Sequence, residues 1–143
     1  MSGSQRELQQ MSQQLNIIQR QLQELSNEQE SLRATRKQLT GAIDALERLE
    51  SGSTVQVPLG ASTYVRAEIE DVDEVLVAIG ADYSAERSRD GAIETLSDRQ
   101  EIVEDRIENV AEHIAELESE AAELEQQAQR LAQAEQLGSM GPD

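Results

Sequence analysis

The sequence predicts an α+β fold in which a long antiparallel coiled-coil helical hairpin is joined by two β-hairpins. Near both ends of the chain, apolar residues recur at alternating steps of three and four, which is the period of a helical seam. Between these stretches, residues 54–86 hold both tyrosines and many β-branched residues, with apolar side chains at every second position. The two helical stretches are nearly equal in length, which favours pairing within the chain over a homodimeric rod.

The composition excludes several classes of partner. Aromatic residues make up only 1%, without Trp or Phe, so an elongated shape is favoured over a compact globule. A formal charge of −17 argues against nucleic acid and anionic membranes, both of which would repel the chain. Lys37 is the only lysine, and such an acidic surface needs salt to screen it, which predicts a salty cytoplasm. The chain has no cysteine, no apolar leader and no membrane-length apolar run, so we expect a cytoplasmic protein.

The first helix is predicted over residues 5–51. Two polar residues, Gln29 and Arg36, interrupt its heptad pattern at a positions, where polar side chains fix register rather than bind ligands. The sequence Glu50-Ser-Gly-Ser53 ends the helix, because Gly52 accepts the left-handed conformation. The apolar seam consists of Leu8, Met11, Leu15, Ile18, Leu22, Leu25, Leu32, Leu39, Ile43 and Leu46.

The second helix is predicted over residues 91–137, with Asp90 or a neighbouring polar residue as its cap. Gln100 occupies one a position of its seam, and the seam thins to alanine near the end of the helix. The apolar positions are Ile93, Leu96, Val103, Ile107, Val110, Ile114, Leu117, Ala121, Leu124, Ala128 and Leu131.

Residues 54–86 are expected to form four short strands. The segments around Gly60 and Gly80 are predicted to be tight turns, because glycine tolerates positive φ. Two isolated hairpins would leave unpaired strand edges, so we expect these edges to pair with other subunits and close a β-barrel on oligomerisation. The predicted oligomerisation residues are Val55, Val57, Leu59, Val65, Ile69, Val75, Val77 and Ile79.

The sequence resembles the α class of prefoldin subunits, which are archaeal-type chaperones. The resemblance rests on Val55-Gln-Val-Pro-Leu-Gly60, Tyr64-Val65, Val75-Leu-Val-Ala-Ile-Gly80-Ala81, Tyr83, Glu86 and Ala92-Ile93. It covers essentially all of residues 1–143, which would form a single prefoldin-like subunit. Two hairpins rather than one resemble the α class and not the β class.

The resemblance implies a hexamer of two α-type and four β-type subunits, with a central double barrel from which the coiled coils hang. It further implies an ATP-independent holdase, without cofactors, that captures unfolded polypeptides at the distal coiled-coil ends and transfers them to a group II chaperonin. In this sequence the matching end residues are Leu8, Met11, Leu15, Leu124, Leu131 and Leu137. The alternative interpretation of these residues is that they pack within the coiled-coil seam.

The residues do not predict an enzyme. His113 is the only histidine and falls beside the seam, and no serine lies in a Gly-x-Ser-x-Gly turn. Gly60 and Gly80 belong to no phosphate-binding motif. The acidic connector Asp71–Glu74 is suggestive of a cation site but lacks the glycine and distal glutamate of an EF-hand, so no metal is expected. The alternative function is a structural coiled-coil scaffold or adaptor that binds one folded partner.

Overall fold

The computed structural model describes residues 3–139 and confirms the predicted fold class. Two long helices flank two antiparallel β-hairpins, and each hairpin is a separate two-stranded sheet. The elements are α1 (Gly3–Arg48), β1 (Thr54–Gly60), β2 (Thr63–Glu68), β3 (Val75–Gly80), β4 (Tyr83–Arg87) and α2 (Arg89–Ser139).

The chain divides into two compact units. The first, called the arm unit, contains α1 up to Arg33 and α2 from Arg106. Its helices run antiparallel, and the Arg106 guanidinium bridges to Glu28 Oε1 at 2.7 Å. Its buried residues all occupy predicted seam positions, because the heptad period keeps one stripe of each helix against the other. These residues are Ile18, Val110 and Leu117.

The second unit, Ala34–Asp105, is called the hairpin unit. Two of the predicted polar a positions make cross-helix contacts there. Arg36 Nη1 lies 3.4 Å from Glu104 Oε1, and Gln100 Nε2 donates a hydrogen bond of 2.8 Å to Thr40 Oγ1. Both contacts join fixed positions on α1 and α2, so they favour one register of the pair, as the sequence suggested for Arg36.

Helix α1 ends at Arg48, three residues before the predicted end. A side chain of the other helix caps this end, a contact that the sequence does not reveal. The Nη1 atom of Arg89 donates hydrogen bonds of 2.5 Å to the Leu49 carbonyl and 3.5 Å to the Leu46 carbonyl. These are carbonyls that the terminating helix leaves without an intrahelical partner. Gly52, at φ 90°, then turns the chain towards β1.

Helix α2 begins at Arg89, two residues before the predicted start. Ser88 is the cap, because its Oγ accepts a hydrogen bond of 3.1 Å from the Gly91 amide. Asp90 therefore lies inside the first turn. The Arg89 amide also donates to Asp73 Oδ1 at 3.3 Å, so the connector between the hairpins supplies a second acceptor to this helix start.

The two hairpins have turns of the same construction. In each, a two-residue loop follows a glycine, and the register shifts by one residue at that glycine. The surrounding sequences are also alike, Val57-Pro-Leu-Gly-Ala-Ser62 and Val77-Ala-Ile-Gly-Ala-Asp82. All three turn residues have positive φ in both hairpins: Gly60 (102°), Ala61 (49°), Ser62 (58°), Gly80 (114°), Ala81 (47°) and Asp82 (64°).

The second hairpin packs against the helices of its own unit. Val77 is only 5% exposed and forms a buried cluster with Ala92 and Leu96 of α2. The partly buried residues around this cluster are Leu39, Ile43, Leu46 and Val75. Val77 is one of the predicted oligomerisation residues, and within this chain its side chain packs against α2. Val75 is half-buried in the same place.

Candidate functional site

An open apolar groove lies in the arm unit, where α1 begins and α2 approaches its end. It measures about 310 Å³ and is lined by Met11, Leu131 and Ala134, with Glu7, Gln127 and Arg130 at its polar margin. Met11 and Leu131 are half-buried seam residues, like the other predicted end residues on the seam. Since methionine has a flexible, polarizable side chain, it adapts to varied apolar partners.

The groove contains two of the six predicted end residues. Leu137 lies farther along α2 and is 70% exposed. The remaining three are half-buried on the seam and do not line the groove; they are Leu8, Leu15 and Leu124. The arrangement therefore offers a short apolar surface at the helix ends, and the packed seam continues beside it.

The hairpins carry the second candidate surface. In the first hairpin, Val57 pairs with Val65 on one sheet face, and both side chains are exposed. Leu59 and Ile79, beside the two turns, are also exposed. The other predicted oligomerisation residues are less accessible: Val55, Ile69 and Val75 are half-buried, and Val77 is buried.

Three exposed apolar or aromatic residues of the hairpins were absent from the predicted set. Tyr64 is 59%, Leu76 is 76% and Tyr83 is 72% exposed. Period-two alternation places Tyr64 and Leu76 on the faces opposite the valine-rich ones, and the predicted set was taken from the valine-rich faces alone. A signal was nevertheless present, because β3 reads Val75-Leu-Val-Ala-Ile-Gly80 without a polar residue, as strands covered on both faces do.

The acidic connector is organised by hydrogen bonds to the backbone. Asp71 Oδ1 accepts from the Asp73 amide at 2.9 Å, and Ser51 Oγ accepts from the Val72 amide at 3.1 Å. Across residues 3–139, no group of three or more acidic, histidine or cysteine side chains is placed to hold a metal ion. His113 is exposed on α2. Within the same residues, no helix has an apolar stretch long enough to cross a bilayer.

Comparison with known proteins identifies the family. Residues 12–134 match the family model described as Prefoldin subunit. The chain belongs to the prefoldin family. Prefoldins are chaperones rather than enzymes, and their subunits form oligomers with other prefoldin subunits.

Several similar prefoldin α subunits come from haloarchaea, and others come from methanogens. Prefoldin subunit alpha of Haloarcula marismortui is 62% identical over 60 residues, which cover 42% of this chain and 39% of that protein. The corresponding subunit of Halorubrum lacusprofundi is 46% identical over 101 residues, or 71% of this chain and 66% of that protein. The matched segments thus span between 39% and 66% of the length of these relatives.

Among solved structures, a filamentous prefoldin from Methanocaldococcus jannaschii is similar to this chain. The two share 24% sequence identity with a TM-score of 0.48, and the match covers 89% of this chain and 96% of that one.

Proposed function

We propose that this chain is the α-type subunit of an ATP-independent holdase that captures unfolded polypeptides at the coiled-coil ends. The observation that carries the proposal is the open groove around Met11 and Leu131. An unfolded chain exposes apolar side chains, and a groove with an apolar floor can bury one of them. Several weak grooves in one oligomer would hold a long client by multivalency.

Assembly is proposed to occur through the hairpins, with two α-type and four β-type subunits in a hexamer. The exposed apolar side chains of the hairpins support this, as do the unpaired edges of both two-stranded sheets. A two-stranded sheet is marginal alone, and its free edges are templates for another strand. Pairing with hairpins of other subunits would close the barrel and bury these edges.

The proposal extends to the later steps that the resemblance to prefoldin implies. The client is handed to a group II chaperonin in the cytoplasm, without a cofactor and without nucleotide hydrolysis by this subunit. Capture depends on apolar contact alone, so it needs no chemical step.

The proposal is tested by removing the apolar groove and keeping the hairpins. In the assembled oligomer, Met11→Ser with Leu131→Ser should strongly reduce the suppression of light scattering from several denatured, unrelated clients. The matched control is Gln10→Ser with Gln133→Ser, because both glutamines are exposed on the same turns and lie outside the groove. Sedimentation and circular dichroism should show that both variants remain assembled and helical.

Because Met11 and Leu131 also belong to the seam, a third variant separates binding from packing. Leu137→Ser alters a side chain that is largely exposed and should weaken protection by itself. If the Met11/Leu131 variant and the Leu137 variant both protect clients like the unmodified oligomer, the helix ends do not bind clients, and the surface beneath the barrel becomes the candidate. If the unmodified oligomer protects no client, the holdase proposal is refuted and the result supports the alternative of a structural scaffold or adaptor.

A further inference from the structure

Met11 is the one apolar position of the α1 seam that mild oxidation can change. The other apolar seam positions of this helix are leucine or isoleucine, and the chain has no cysteine. The remaining methionines, Met1 and Met140, lie outside the described residues. Hydroperoxides oxidise a thioether under conditions that leave hydrocarbon side chains intact, so the described helices hold a single sulfur that such an oxidant can attack.

The structure places this sulfur-containing side chain in the open apolar groove. Met11 is half-buried and lines the groove of about 310 Å³ together with Leu131 and Ala134. A small peroxide can reach the side chain, because the groove is open to solvent and Met11 is not fully buried. The same side chain is therefore accessible to an oxidant and, under the proposed function, contacts the apolar part of a client.

Oxidation at this position changes the chemistry of the groove. The hydroperoxide transfers one oxygen to the Met11 sulfur, which is oxidised to a sulfoxide, and the peroxide is reduced to an alcohol or, from hydrogen peroxide, to water. The thioether is only a weak hydrogen-bond acceptor, whereas the sulfoxide is polar. Gln127 and Arg130 line the groove and carry N–H donors that suit the new oxygen. A client side chain would have to displace these donors or water, and an unpaired buried oxygen is unfavourable.

We propose that Met11 is an oxidation-sensitive site, at which sulfoxide formation by a hydroperoxide switches off the capture of unfolded polypeptides in this groove. The inference rests on the proposed function and adds reversible control of the same site. Reversal requires a methionine sulfoxide reductase and a pair of thiols. The sulfoxide oxygen leaves as water, the thiols are oxidised to a disulfide, and the thioether is restored.

Peroxide treatment of the oligomer, assembled with its β-type partner, tests the proposal. Catalase removes the excess hydrogen peroxide, peptide mass spectrometry measures the sulfoxide at Met11, and denatured clients are added only afterwards. The oligomer concentration that half-suppresses light scattering should rise at least about threefold, because each weakened groove lowers the multivalent affinity. Reductases for both sulfoxide epimers, supplied with a dithiol, should restore the original concentration. Circular dichroism and sedimentation should stay unchanged throughout.

Two variants locate the effect. Met11→Leu keeps an apolar side chain of similar volume without the sulfur, so its protection of clients should be the same before and after peroxide treatment. Met140→Leu retains Met11 and should be as sensitive to peroxide as the unmodified chain. The reductase step is carried out on the unmodified chain, so the test does not depend on how well either variant protects clients before treatment.

Four results would overturn the inference. Protection could persist after complete oxidation of Met11, or Met11→Leu could lose as much protection as the unmodified chain. Met11 could resist peroxide under conditions that oxidise Met140, or the loss of protection could be accompanied by loss of helicity or assembly. An untreated, unmodified oligomer that protects no client would instead refute the proposed function, and the inference would fall with it.

Discussion

At the scale of single residues, the hairpin turns hold the most unfavourable backbone conformations described. Ala61 and Ala81 lie in the left-handed region, as do Ser62 and Asp82. For residues with a Cβ this conformation costs roughly 1–2 kcal/mol, which asparagine tolerates better and glycine avoids. Two-residue hairpin loops with both residues at positive φ normally use Asn-Gly for this reason. Both turns of this chain are therefore strained, and Asn-Gly in place of the two loop residues would relieve the strain.

Replacing Ala61 with Asn and Ser62 with Gly should stabilise the isolated chain by about 1 kcal/mol. The physical reason is relief of left-handed strain, and the expected rise in Tm is about 2–4 °C for a chain of this size. Thermal unfolding followed by circular dichroism measures it. Gly60→Ala is the opposing control, because φ at this position is 102° and the variant should unfold at lower temperature. An unchanged Tm in both variants would show that the turn conformation does not limit stability.

At the scale of elements, strand β3 is apolar on both faces, and the two faces differ in burial. Val77 is buried against α1 and α2, whereas its neighbour Leu76 is the most exposed large apolar residue reported for the described chain. Adjacent strand residues point to opposite sides, so one face attaches the hairpin to its own helices. The other face is free for a partner.

This difference predicts opposite consequences for the same substitution at neighbouring positions. Val77→Asp places a carboxylate in an apolar cluster without a partner and should lower the free energy of unfolding by about 3 kcal/mol or more. Leu76→Asp should leave the isolated chain within about 0.5 kcal/mol of its original stability, because the new charge stays in water. Urea titration of both variants measures this. Equal losses would mean that Leu76 also packs within the chain.

Sequence periodicity predicts which residues share a face of a helix or strand. In the helical seam it also predicts which residues are buried. Ile18, Val110 and Leu117 are buried where the heptad places them, because a helical stripe has only one neighbour to pack against. The period-two pattern of β3 was less informative about Val77. Alternation groups strand residues by face, but it does not predict which face packs against the helices. The hydrogen bond from Arg89 to the Leu49 carbonyl could not be predicted from the sequence. The two residues are far apart in the chain and come into contact only when the helices pack.

At the scale of the whole molecule, the charge is distributed unevenly between the helices. Helix α1 has six acidic and six basic residues, whereas α2 has fourteen acidic and four basic residues. Between Glu108 and Glu125, α2 contains seven glutamates and no arginine or lysine. Four of them are spaced by four residues, so like charges stack along one helix face: Glu108, Glu112, Glu116 and Glu120. Each such like-charged pair destabilises a helix by about 0.2–0.5 kcal/mol at low salt.

The helicity and thermal stability of the chain should therefore rise with salt. The Debye length falls from about 10 Å at 0.1 M to about 3 Å at 1 M, which is shorter than the spacing of these glutamates along the helix. The cross-helix pairs Arg36–Glu104 and Arg106–Glu28 weaken under the same screening. Repulsion still dominates, because the chain as a whole carries a net charge of −17 and exposed ion pairs contribute only about 0–1 kcal/mol each. Changing Glu112, Glu116 and Glu120 to Gln should raise Tm in dilute buffer and reduce its dependence on salt. Melting curves in KCl measure both effects, and sucrose controls for stabilisation by surface exclusion. A Tm that does not move between dilute and molar KCl would show that repulsion along α2 does not limit folding.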